Sequence, residues 1–454
     1  MVVASASAAP TATIAAIATA PGAGGIGVVR ISGPRCAEIA QALIGKKLKP
    51  RVFHFATFFD EHGAALDRGL ALYFAAPHSY TGEDVLELQA HGSPVLLAML
   101  LRRVLALGAR AARPGEFSER AFVNGKLDLA QAEAVADLIA SGSEAAARAA
   151  MRSLEGDFSA AVGGVFDALV RLRAWLEAAL DFPEEEIDFL SAPQLLDDLT
   201  ALQTQTAELL AAARRGVLLR DGLHVVIVGR PNTGKSSLLN ALAQSERAIV
   251  AAIAGTTRDV LRERVNLDGI GLTLVDTAGL HESIDVVEQE GMRRARAELA
   301  RADVAILVTD NAHAATDVEL LRECSVATTR LIVHNKIDLS GECARVDASS
   351  DAEIHLYLSA RSGAGLDLLR SELARLAGRG EGTQGAFSAR ARHVRALQET
   401  AAHLEATRMH LQARVGELAA EELRQAQRVL GEITGQYTSD DLLGAIFSSF
   451  CIGK

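Results

Sequence analysis

Between Gly229 and Ser236 the chain reads GRPNTGKS, which fits the phosphate-loop pattern G-x-x-x-x-G-K-[ST]. A β-branched run, 224–228, precedes the pattern and a helical segment follows it, and such a loop requires this context. Backbone N–H groups of the loop and the N-terminus of the helix would bind phosphate oxygens. Lys235 is expected to contact the β- and γ-phosphates, and the Ser236 hydroxyl is expected to bind Mg²⁺. The stretch therefore predicts a nucleoside triphosphate site.

Two polar motifs downstream supply groups for a metal ion and for the γ-phosphate. The segment GTTRD, 255–259, is typical of a first switch, with Thr257 as a second Mg²⁺ ligand. The segment DTAG, 276–279, ends a β-like run. Asp276 would hold a metal-bound water there, and Gly279 would contact the γ-phosphate.

Two further motifs indicate the base. The segment NKID, 335–338, follows a β-like run, and Asp338 can accept hydrogen bonds from the N1–H and 2-amino groups of guanine. Adenine lacks this pair of donors, so GTP is predicted over ATP. Ser359 and Ala360 end the next strand and would support the base. All five motifs in this order predict a GTPase.

The group that orients the attacking water is not evident from these motifs. Leu280 stands where Ras-type GTPases carry a glutamine, and a leucine cannot orient water. Arg258 is conceivable as an arginine finger, and Asn232 could help to hold a monovalent cation at the phosphate loop. Polar candidates for the water-orienting residue follow just downstream: Glu282, Asp285, Glu288 and Glu290.

Composition limits the class of protein. A length of 454 residues predicts two to four domains, and a net charge of −11 argues against a broad basic surface for nucleic acid, although not against a local patch. The four cysteines have no metal-ligand spacing and are expected to be reduced thiols in a cytoplasmic protein. No apolar run approaches 18 residues, and the N-terminal segment lacks the basic region of a secretory signal, so neither a membrane span nor secretion is expected.

The pattern of elements predicts how the motifs are held. Residues 222–377 alternate strand and helix, with β-like runs at 304–309, 330–334 and 355–358, which is typical of a doubly wound α/β domain. Residues 127–215 are helical, and 216–222 are expected to form a boundary before the phosphate-loop strand. Residues 388–432 are again helical, so the α/β domain is predicted to be inserted into a helical domain. A stripe of four leucines spaced seven residues apart is expected to pack on the 127–215 helices: Leu397, Leu404, Leu411 and Leu418.

Three weaker patterns in the sequence have simpler interpretations. Residues 22–27 match the dinucleotide fingerprint G-x-G-x-x-G, but a β-branched run follows where that fold needs a helix, so strand–turn–strand is predicted. The polar stretch 80–92 is more often a strand edge with its loop than an active site. The acidic break at 181–186 is more often a solvated helix junction than a cation site.

Taken together, the motifs resemble the bacterial tRNA-modification GTPase family MnmE (TrmE). The resemblance covers nearly the whole chain beyond about the first ten residues. The GTPase part carries GRPNTGKSSLLN, AGTTRD, DTAG and NKID. The motifs outside it are long and specific: PGAGGIGVVRISGP, TGEDVLELQAHG, RPGEFSERAFVNGKLDLAQAEAVADLI, DFPEEEIDF and the terminal CIGK.

The resemblance implies a multidomain α/β and α fold. A P-loop GTPase domain, 222–377, with a parallel-rich sheet flanked by helices would be inserted into an all-helical domain formed by 127–221 and 378–454. An α+β domain, 1–126, would precede them, bind folate and form a homodimer.

The resemblance also implies the reaction. Such proteins work with an FAD-dependent MnmG-type partner in a heterotetramer, and tRNA is expected to bind mainly through that partner. Together they add an aminomethyl or carboxymethylaminomethyl group to C5 of the tRNA wobble uridine. The one-carbon unit comes from 5,10-methylenetetrahydrofolate, for which 5-formyltetrahydrofolate is a bound analogue, and GTP hydrolysis needs Mg²⁺ and K⁺.

Residue roles carry over by motif position. Glu288 matches the water-orienting glutamate, with Lys235 and Asp276 as further catalytic residues. The K⁺ ligands would be Asn232, Ala251, Ile253 and Thr256. The family often has Thr-Asp at 251–252, where this chain has two alanines, so a side-chain role there is in doubt while ligation by backbone carbonyls would survive. The folate-contacting positions are Arg30, Glu87, Lys126 and Lys454, and Cys451 matches the terminal cysteine.

The full set of residues predicted to bind the nucleotide and its ions falls into the five motifs and the K⁺ loop. It comprises Asn232, Thr233, Gly234, Lys235, Ser236, Ser237, Ala251, Ala252, Ile253, Ala254, Gly255, Thr256, Thr257, Asp276, Thr277, Ala278, Gly279, Asn335, Lys336, Asp338, Ser359 and Ala360.

Two alternative functions are also compatible with the sequence. A regulatory GTPase that times ribosome or ribonucleoprotein assembly would carry the same phosphate-loop domain. A nucleotide-binding scaffold without catalysis would carry it as well. The N-terminal part distinguishes the tRNA-modification hypothesis from both alternatives, because only that hypothesis expects this part to bind folate.

Overall fold

The computed structural model describes residues 12–181, 193–243, 262–267, 270–276, 296–309, 314–324, 329–350, 353–376, 386–437, 440–448, 450 and 453. The chain forms two compact units. The first unit comprises Met1–Ala136, Val162–Asp181 and Gly416–Lys454, and the second comprises Asp137–Ala161 and Phe182–Val415. No helix in the described ranges is both long enough and apolar enough to cross a membrane.

The first unit contains a six-stranded sheet. Its strands are β1 (Ile14–Ile17), β2 (Gly24–Ser32), β3 (His54–Phe59), β4 (Ala65–Phe74), β5 (Val85–Gly92) and β6 (Arg110–Ala111). They lie in the order β3-β4-β5-β2-β1-β6, and all neighbours are antiparallel except β1 and β6. The strand–turn–strand prediction for the glycine-rich segment is thus confirmed, because β1 and β2 pair across it.

Alternation along the strands gives this sheet two different faces. Leu86 and Leu88 on β5 are fully buried against the core that includes α1 (Cys36–Ile44) and α2 (Pro94–Ala106). Glu87 and Gln89 project from the opposite face, because successive side chains of a strand alternate. The segment 80–92 forms a loop followed by strand β5, as predicted, but β5 is not at an edge of the sheet, since it pairs with β4 on one side and β2 on the other.

Helices complete the first unit. They include α3 (Glu116–Val123), most of α4 (Leu129–Ala140), α13 (Gly416–Thr434) and α14 (Asp440–Ser448). Leu129 and Ala132 form a buried cluster with Ile446, Phe447 and Phe450. The end of the chain therefore packs on the residues that directly follow the N-terminal sheet.

The second unit contains the predicted α/β sheet. Its strands are β7 (Leu223–Val228), β8 (Arg262–Leu267), β9 (Ile270–Asp276), β10 (Val304–Thr309), β11 (Thr329–His334), β12 (Arg345–Ser350) and β13 (Glu353–Tyr357), in the order β12-β13-β11-β10-β7-β9-β8. The five central strands are parallel, and the edge strands β8 and β12 are antiparallel. The helices of this part are α8 (Lys235–Ala243), α9 (Ala314–Cys324), α10 (Ile337–Ser340) and α11 (Leu366–Leu376).

Both faces of the parallel strands are buried. Val225 and Ile227 on β7 belong to one core cluster, whereas Val226 and Val228 belong to another. A strand that is covered on both faces must be apolar throughout, which explains the continuous run before the phosphate loop. This arrangement confirms the doubly wound α/β prediction.

The remaining helices are α5 (Glu144–Glu155), α6 (Asp157–Asp181), α7 (Pro193–Asp221) and α12 (Ala391–Gln412). The expected boundary at 216–222 is wrong, because α7 continues to Asp221. Gly216 lies within this helix, and close packing of the segment at Phe387 requires glycine there, because an added Cβ would come within 2.5 Å of the Phe387 carbonyl oxygen. Helix α12 packs on α7, where the Gln203 side chain donates a hydrogen bond to the Leu404 carbonyl at 3.3 Å.

The leucine stripe is shorter than predicted. Leu397, Leu404 and Leu411 on α12 are buried, but the helix ends at Gln412 and the chain turns before α13. Leu418 therefore starts a new helix in the other unit, where its side chain is 49% exposed. The regular spacing of the leucines in the sequence does not reveal that the helix ends before Leu418.

Candidate functional site

The phosphate loop connects the end of β7 to the start of α8. Gly229 has φ +151°, and a Cβ there would come within 2.3 Å of the Val308 carbonyl oxygen on β10. Asn232 also has a positive φ, +64°, and its side chain is exposed. Thr233 caps the turn, because its hydroxyl donates to the Arg230 carbonyl at 2.9 Å. The loop thus has the tight geometry that a phosphate-binding turn requires.

Lys235 lies over this loop. Its Nζ donates to the carbonyl oxygens of Gly229 and Arg230, each at 2.9 Å. An ammonium placed across the mouth of the loop can move to phosphate oxygens by small rotations of its flexible side chain. Ser236 and Ser237 follow in the exposed first turn of α8, where a hydroxyl is accessible to a cation. The Lys235 ammonium and the serine hydroxyls can therefore bind a phosphate group together with Mg²⁺.

Asn335 joins the phosphate loop to the predicted base site. Its Nδ2 donates to the Thr233 carbonyl at 2.8 Å, and its Oδ1 accepts from the Ala360 backbone N–H at 2.9 Å. The side chain is buried, and a Cβ at Gly234 would come within 2.3 Å of its Nδ2. One amide thus fixes the spacing between the phosphate loop and the segment that supports the base.

Asp338 is held ready as an acceptor. The Ser359 hydroxyl donates to its Oδ1 at 2.6 Å, and the same hydroxyl accepts from the Ser362 backbone N–H at 3.1 Å. The residue itself is exposed, so its remaining lone pairs face the solvent side where a base would lie. Lys336 between the two motif residues has φ +68°, which turns the backbone sharply after β11.

A stack of rings supports this turn from beneath. His334 stacks on Tyr357 at 4.3 Å between ring centroids, and the Arg345 guanidinium lies 3.5 Å from the centroid of the Tyr357 ring. His334 Nε2 and His355 Nδ1 are 3.0 Å apart. Burial, and then the neighbouring His355, lower the pKa of His334 to about 4, so it is neutral at pH 7. His334 therefore adds no positive charge to this stack, whereas the Arg345 guanidinium does.

Several predicted nucleotide residues lie outside the described residues. These are Ala251, Ala252, Ile253, Ala254, Gly255, Thr256, Thr257, Thr277, Ala278, Gly279 and Glu288. Asp276 is the last residue of β9, which pairs with β7, so its backbone is placed beside the phosphate-loop strand.

A second constellation lies in the first unit, on the face of the sheet opposite α1 and α2. Arg30 Nε donates to Glu87 Oε1 at 2.9 Å, and the two residues are register partners on β2 and β5. The Arg30 guanidinium lies 5.7 Å from the centroid of the Tyr80 ring, and its Nη1 is 3.5 Å from the Gly453 carbonyl oxygen. Two residues predicted from distant motifs are thus brought together. Gly453, the neighbour of Lys454, also contacts Arg30, whereas Lys454 itself lies outside the described residues.

A cavity of about 440 Å³ opens beside this ion pair. Its lining combines an apolar part with cationic and anionic side chains: Arg51, Phe74, His78, Ser79, Tyr80, Val85, Glu87 and Lys126. Such a mixed lining fits a ring-containing ligand that carries both hydrogen-bond donors and negative charge. Lys126 and Glu87 therefore line the same cavity.

A buried ion network anchors α3 beside this cavity. Arg120 donates to Glu83 at 2.8 Å and to Glu116 at 3.0 Å, and Arg110 pairs with Glu116 from the other side. Burial would raise the pKa of Glu116, but hydrogen bonds from Arg110, the Arg113 backbone and Arg120 outweigh it and lower that pKa to about 2. Glu116 is therefore ionised at neutral pH.

Sequence reasoning missed two kinds of residue at these sites. Arg51 and His78 line the cavity, but only a Pro-Arg turn and an isolated histidine marked them in the sequence. The contact of Asn335 with the phosphate loop was also missed, since the two residues are 102 positions apart.

Comparison with known proteins gives matches along most of the chain. A family model described as the MnmE helical domain matches residues 129–451, and one described as the GTP-binding protein TrmE N-terminus matches residues 13–126. The tRNA modification GTPase MnmE of Ectopseudomonas mendocina (strain ymp) is 54% identical over 97% of this chain and 99% of its own length. That of Thiobacillus denitrificans (strain ATCC 25259 / T1) is 54% identical over 97% of this chain and 98% of its own.

Solved structures overlap with part of the chain. The G domain of the T. maritima FeoB iron transporter is 24% identical and covers 34% of this chain and 98% of that one, with a TM-score of 0.27. A TM-score this low carries no weight for the fold, which stands on the strand order and the phosphate loop.

Proposed function

The chain belongs to the MnmE family, whose curated relatives carry the name tRNA modification GTPase, and from this membership we propose that it hydrolyses GTP to GDP and phosphate in the modification of the tRNA wobble uridine. The observation that carries the proposal is the Asn335 bridge. It joins the phosphate loop to the segment 359–360, in which Ser359 orients Asp338, an acceptor that suits guanine. No adenine nucleotide offers the matching donor pair.

The chemistry on tRNA is proposed in finer detail from the family resemblance. An FAD-dependent MnmG-type partner would form a heterotetramer with this chain, and tRNA would bind mainly through that partner in the cytoplasm. The product would be an aminomethyl or carboxymethylaminomethyl group on C5 of the uridine, with the carbon supplied by 5,10-methylenetetrahydrofolate. The cavity beside Arg30, Glu87 and Lys126 supports this proposal, since it offers both an acceptor and cations to a folate.

The domain organisation proposed with this function has four parts. Residues 1–126 would bind folate and dimerise, 127–221 and 378–454 would form the helical domain, and 222–377 would be the GTPase domain. Strand β7 begins at Leu223 and α11 ends at Leu376, which supports the limits of the GTPase domain.

A homodimer is proposed through the open face of the first sheet. Phe55, Leu70, Gln89 and Val28 are register partners in turn across four strands, on the face that carries Glu87. Phe55 lies on the edge strand β3 and is 69% exposed. A second copy would cover this apolar row, as the family resemblance implies.

We expect hydrolysis to depend on K⁺, held by Asn232 and the carbonyls of 251–256, with Glu288 orienting the water. Steady-state phosphate release from the full chain should be at least about tenfold faster in KCl than in NaCl, because a correctly sized cation supplies charge where an arginine finger otherwise would. Glu288→Ala should lower kcat by about a hundredfold while nucleotide affinity stays unchanged. Glu319→Ala, which removes an exposed carboxylate of α9, serves as the control and should leave kcat unchanged. Equal rates in the two salts would contradict the K⁺ mechanism.

A further inference from the structure

We propose that the cavity beside Glu87 selects reduced folates that carry a polyglutamate tail, and that Arg51 recognises the added carboxylates. This inference rests on the proposed folate function. It deepens that function, because it names the form of the folate that the site prefers and the residue that sets the preference.

The charge on the cavity wall is the first observation. Arg51 and Lys126 both line it, and in the described part of the chain neither has a carboxylate partner. Arg30 differs, because it is paired with Glu87 at 2.9 Å. In a chain with a net charge of −11, two cations without carboxylate partners on one cavity leave a local positive potential that attracts an anionic group.

The second observation is how Arg51 is held at the rim. Its backbone has φ +60°, and its N–H donates to the Tyr73 carbonyl at 2.8 Å. Its Nη2 donates to the His78 carbonyl at 2.9 Å. That bond uses one of the five N–H donors of a guanidinium, and the other four find no acceptor among the described residues. A strained backbone that is held by two hydrogen bonds positions this side chain for a ligand.

The order of groups along the cavity matches the order of groups in a folate. Glu87 can accept hydrogen bonds from the donor edge of a pterin. Phe74 and Val85 are register partners one step further along the same strands, about 7 Å away, and give an apolar wall for the aromatic ring. The Arg51 guanidinium donates to the carbonyl of His78, which follows the end of β4 at Phe74, and so lies at the far end, where the glutamate carboxylates would emerge.

Arg51 suits this task better than Lys126 does. A guanidinium binds a carboxylate through two parallel hydrogen bonds and stays charged under all physiological conditions. The Lys126 side chain instead packs on the turn at Gly82, where an added Cβ would lie 3.3 Å from its Cε. Arg51 is exposed, so it can meet carboxylates of a chain that extends into solvent.

The test is calorimetric titration of the full chain with 5-formyltetrahydrofolate as the monoglutamate and as the triglutamate. The wild type should bind the triglutamate about fivefold more tightly, which is the effect of a good solvent-exposed ion pair. The preference should shrink at high salt. Arg51→Gln should remove the preference and leave monoglutamate affinity within about twofold, whereas Arg51→Lys, which keeps the charge, should retain part of it.

Arg68→Gln is the matched control, because Arg68 is an exposed arginine of the same sheet that does not line the cavity. Glu87→Gln should abolish binding of both folates. Equal binding of the two folates by the wild type, or an equal loss of preference in Arg51→Gln and Arg68→Gln, would overturn the role of Arg51 and leave the folate site standing. If the wild type binds neither folate, the proposed folate function itself fails.

Discussion

Single polar side chains set the geometry of the nucleotide site. Asn335 bonds the phosphate loop with its Nδ2 and the base-supporting segment with its Oδ1. Ser359 fixes the orientation of Asp338 through a 2.6 Å hydrogen bond. Asn335 and Ser359 use their polar groups to fix the geometry of the site, whereas Asp338 accepts one bond from Ser359 and keeps its other lone pairs for the base. Base selection is therefore expected to depend on the chemistry of one side chain.

Asp338→Asn should exchange guanine for xanthine. An amide offers one acceptor and one donor, which matches the N1–H and 2-oxo groups of xanthine but opposes the 2-amino group of guanine. We expect GTP affinity to fall about a hundredfold and XTP to become the preferred substrate. Competitive binding of a fluorescent nucleotide measures both. Asp367→Asn, an exposed carboxylate at the start of α11, should leave the preference unchanged.

The pKa of Glu116 predicts a specific acid sensitivity of the first unit. That pKa falls from an ordinary value of 4.5 to about 2, so the folded state binds fewer protons than the unfolded state between these values. The stabilisation, about 3 kcal/mol, is fully present above pH 4.5 and is lost as the pH falls towards 2.

Glu116→Gln should lower the free energy of unfolding by a similar amount at pH 7 and flatten its acid dependence. The single tryptophan, Trp175, lies in the same unit, so its fluorescence reports this transition. Glu421→Gln is the control, because Glu421 also has a pKa of about 2 but pairs with Arg424 in full contact with solvent. An equal acid dependence in wild type and Glu116→Gln would contradict the assignment.

Among the elements, three helices meet where the chain enters and leaves the α/β sheet. Asp137 near the end of α4 accepts from Arg220 Nε at 2.7 Å and from Arg390 Nη2 at 2.7 Å. Arg220 lies three residues before β7, and Arg390 directly precedes α12. The buried Asp137 carboxylate thus binds an arginine where the chain enters the α/β sheet and another where it leaves. This pairing explains how helices distant in sequence hold an inserted domain.

Asp137→Asn should destabilise the second unit by about 3 kcal/mol, because it removes the buried carboxylate charge that Arg220 and Arg390 share. Calorimetric unfolding of the full chain measures this loss. Glu144→Gln removes a pair with Arg148 in which both side chains are at least 75% exposed, and it should change stability by less than about 1 kcal/mol. Similar effects of the two substitutions would argue against this pairing.

The whole molecule keeps its two candidate sites in separate units. The nucleotide residues lie in the second unit, and the cavity with Arg30 and Glu87 lies in the first. The C-terminal segment belongs to the first unit, where Gly453 packs so closely on Ile17 that a Cβ would come within 2.4 Å of its carbonyl oxygen. The two ends of the chain therefore build one site together.

The proposed homodimer predicts that a charge at Phe55 changes the oligomeric state. Phe55→Glu should convert the wild-type dimer to a monomer at micromolar concentration, because a charge would be buried in the apolar row. Light scattering after size-exclusion chromatography measures the mass. Ile139→Glu changes another exposed apolar side chain and should leave the dimer intact. A monomeric wild type, or a dimeric Phe55→Glu, would refute the proposed interface.

The sequence by itself determined the features whose contacts are local. The phosphate loop, its flanking strand and helix, and the class of the α/β sheet follow from residues within one strand–turn–helix unit, because backbone geometry and strand burial act over a few positions. The end of α7 and the break before Leu418 were misjudged, since a distant segment decides whether a glycine continues a helix or a leucine is covered.

Only the tertiary structure decided which distant residues share a site. Arg30 and Glu87 are 57 positions apart, and Asp137 and Arg390 are 253 apart. Their pairing depends on strand order and helix packing, which no periodicity encodes. Arg51 became a candidate in the same way, because its role follows from the cavity it lines and not from the residues beside it in sequence.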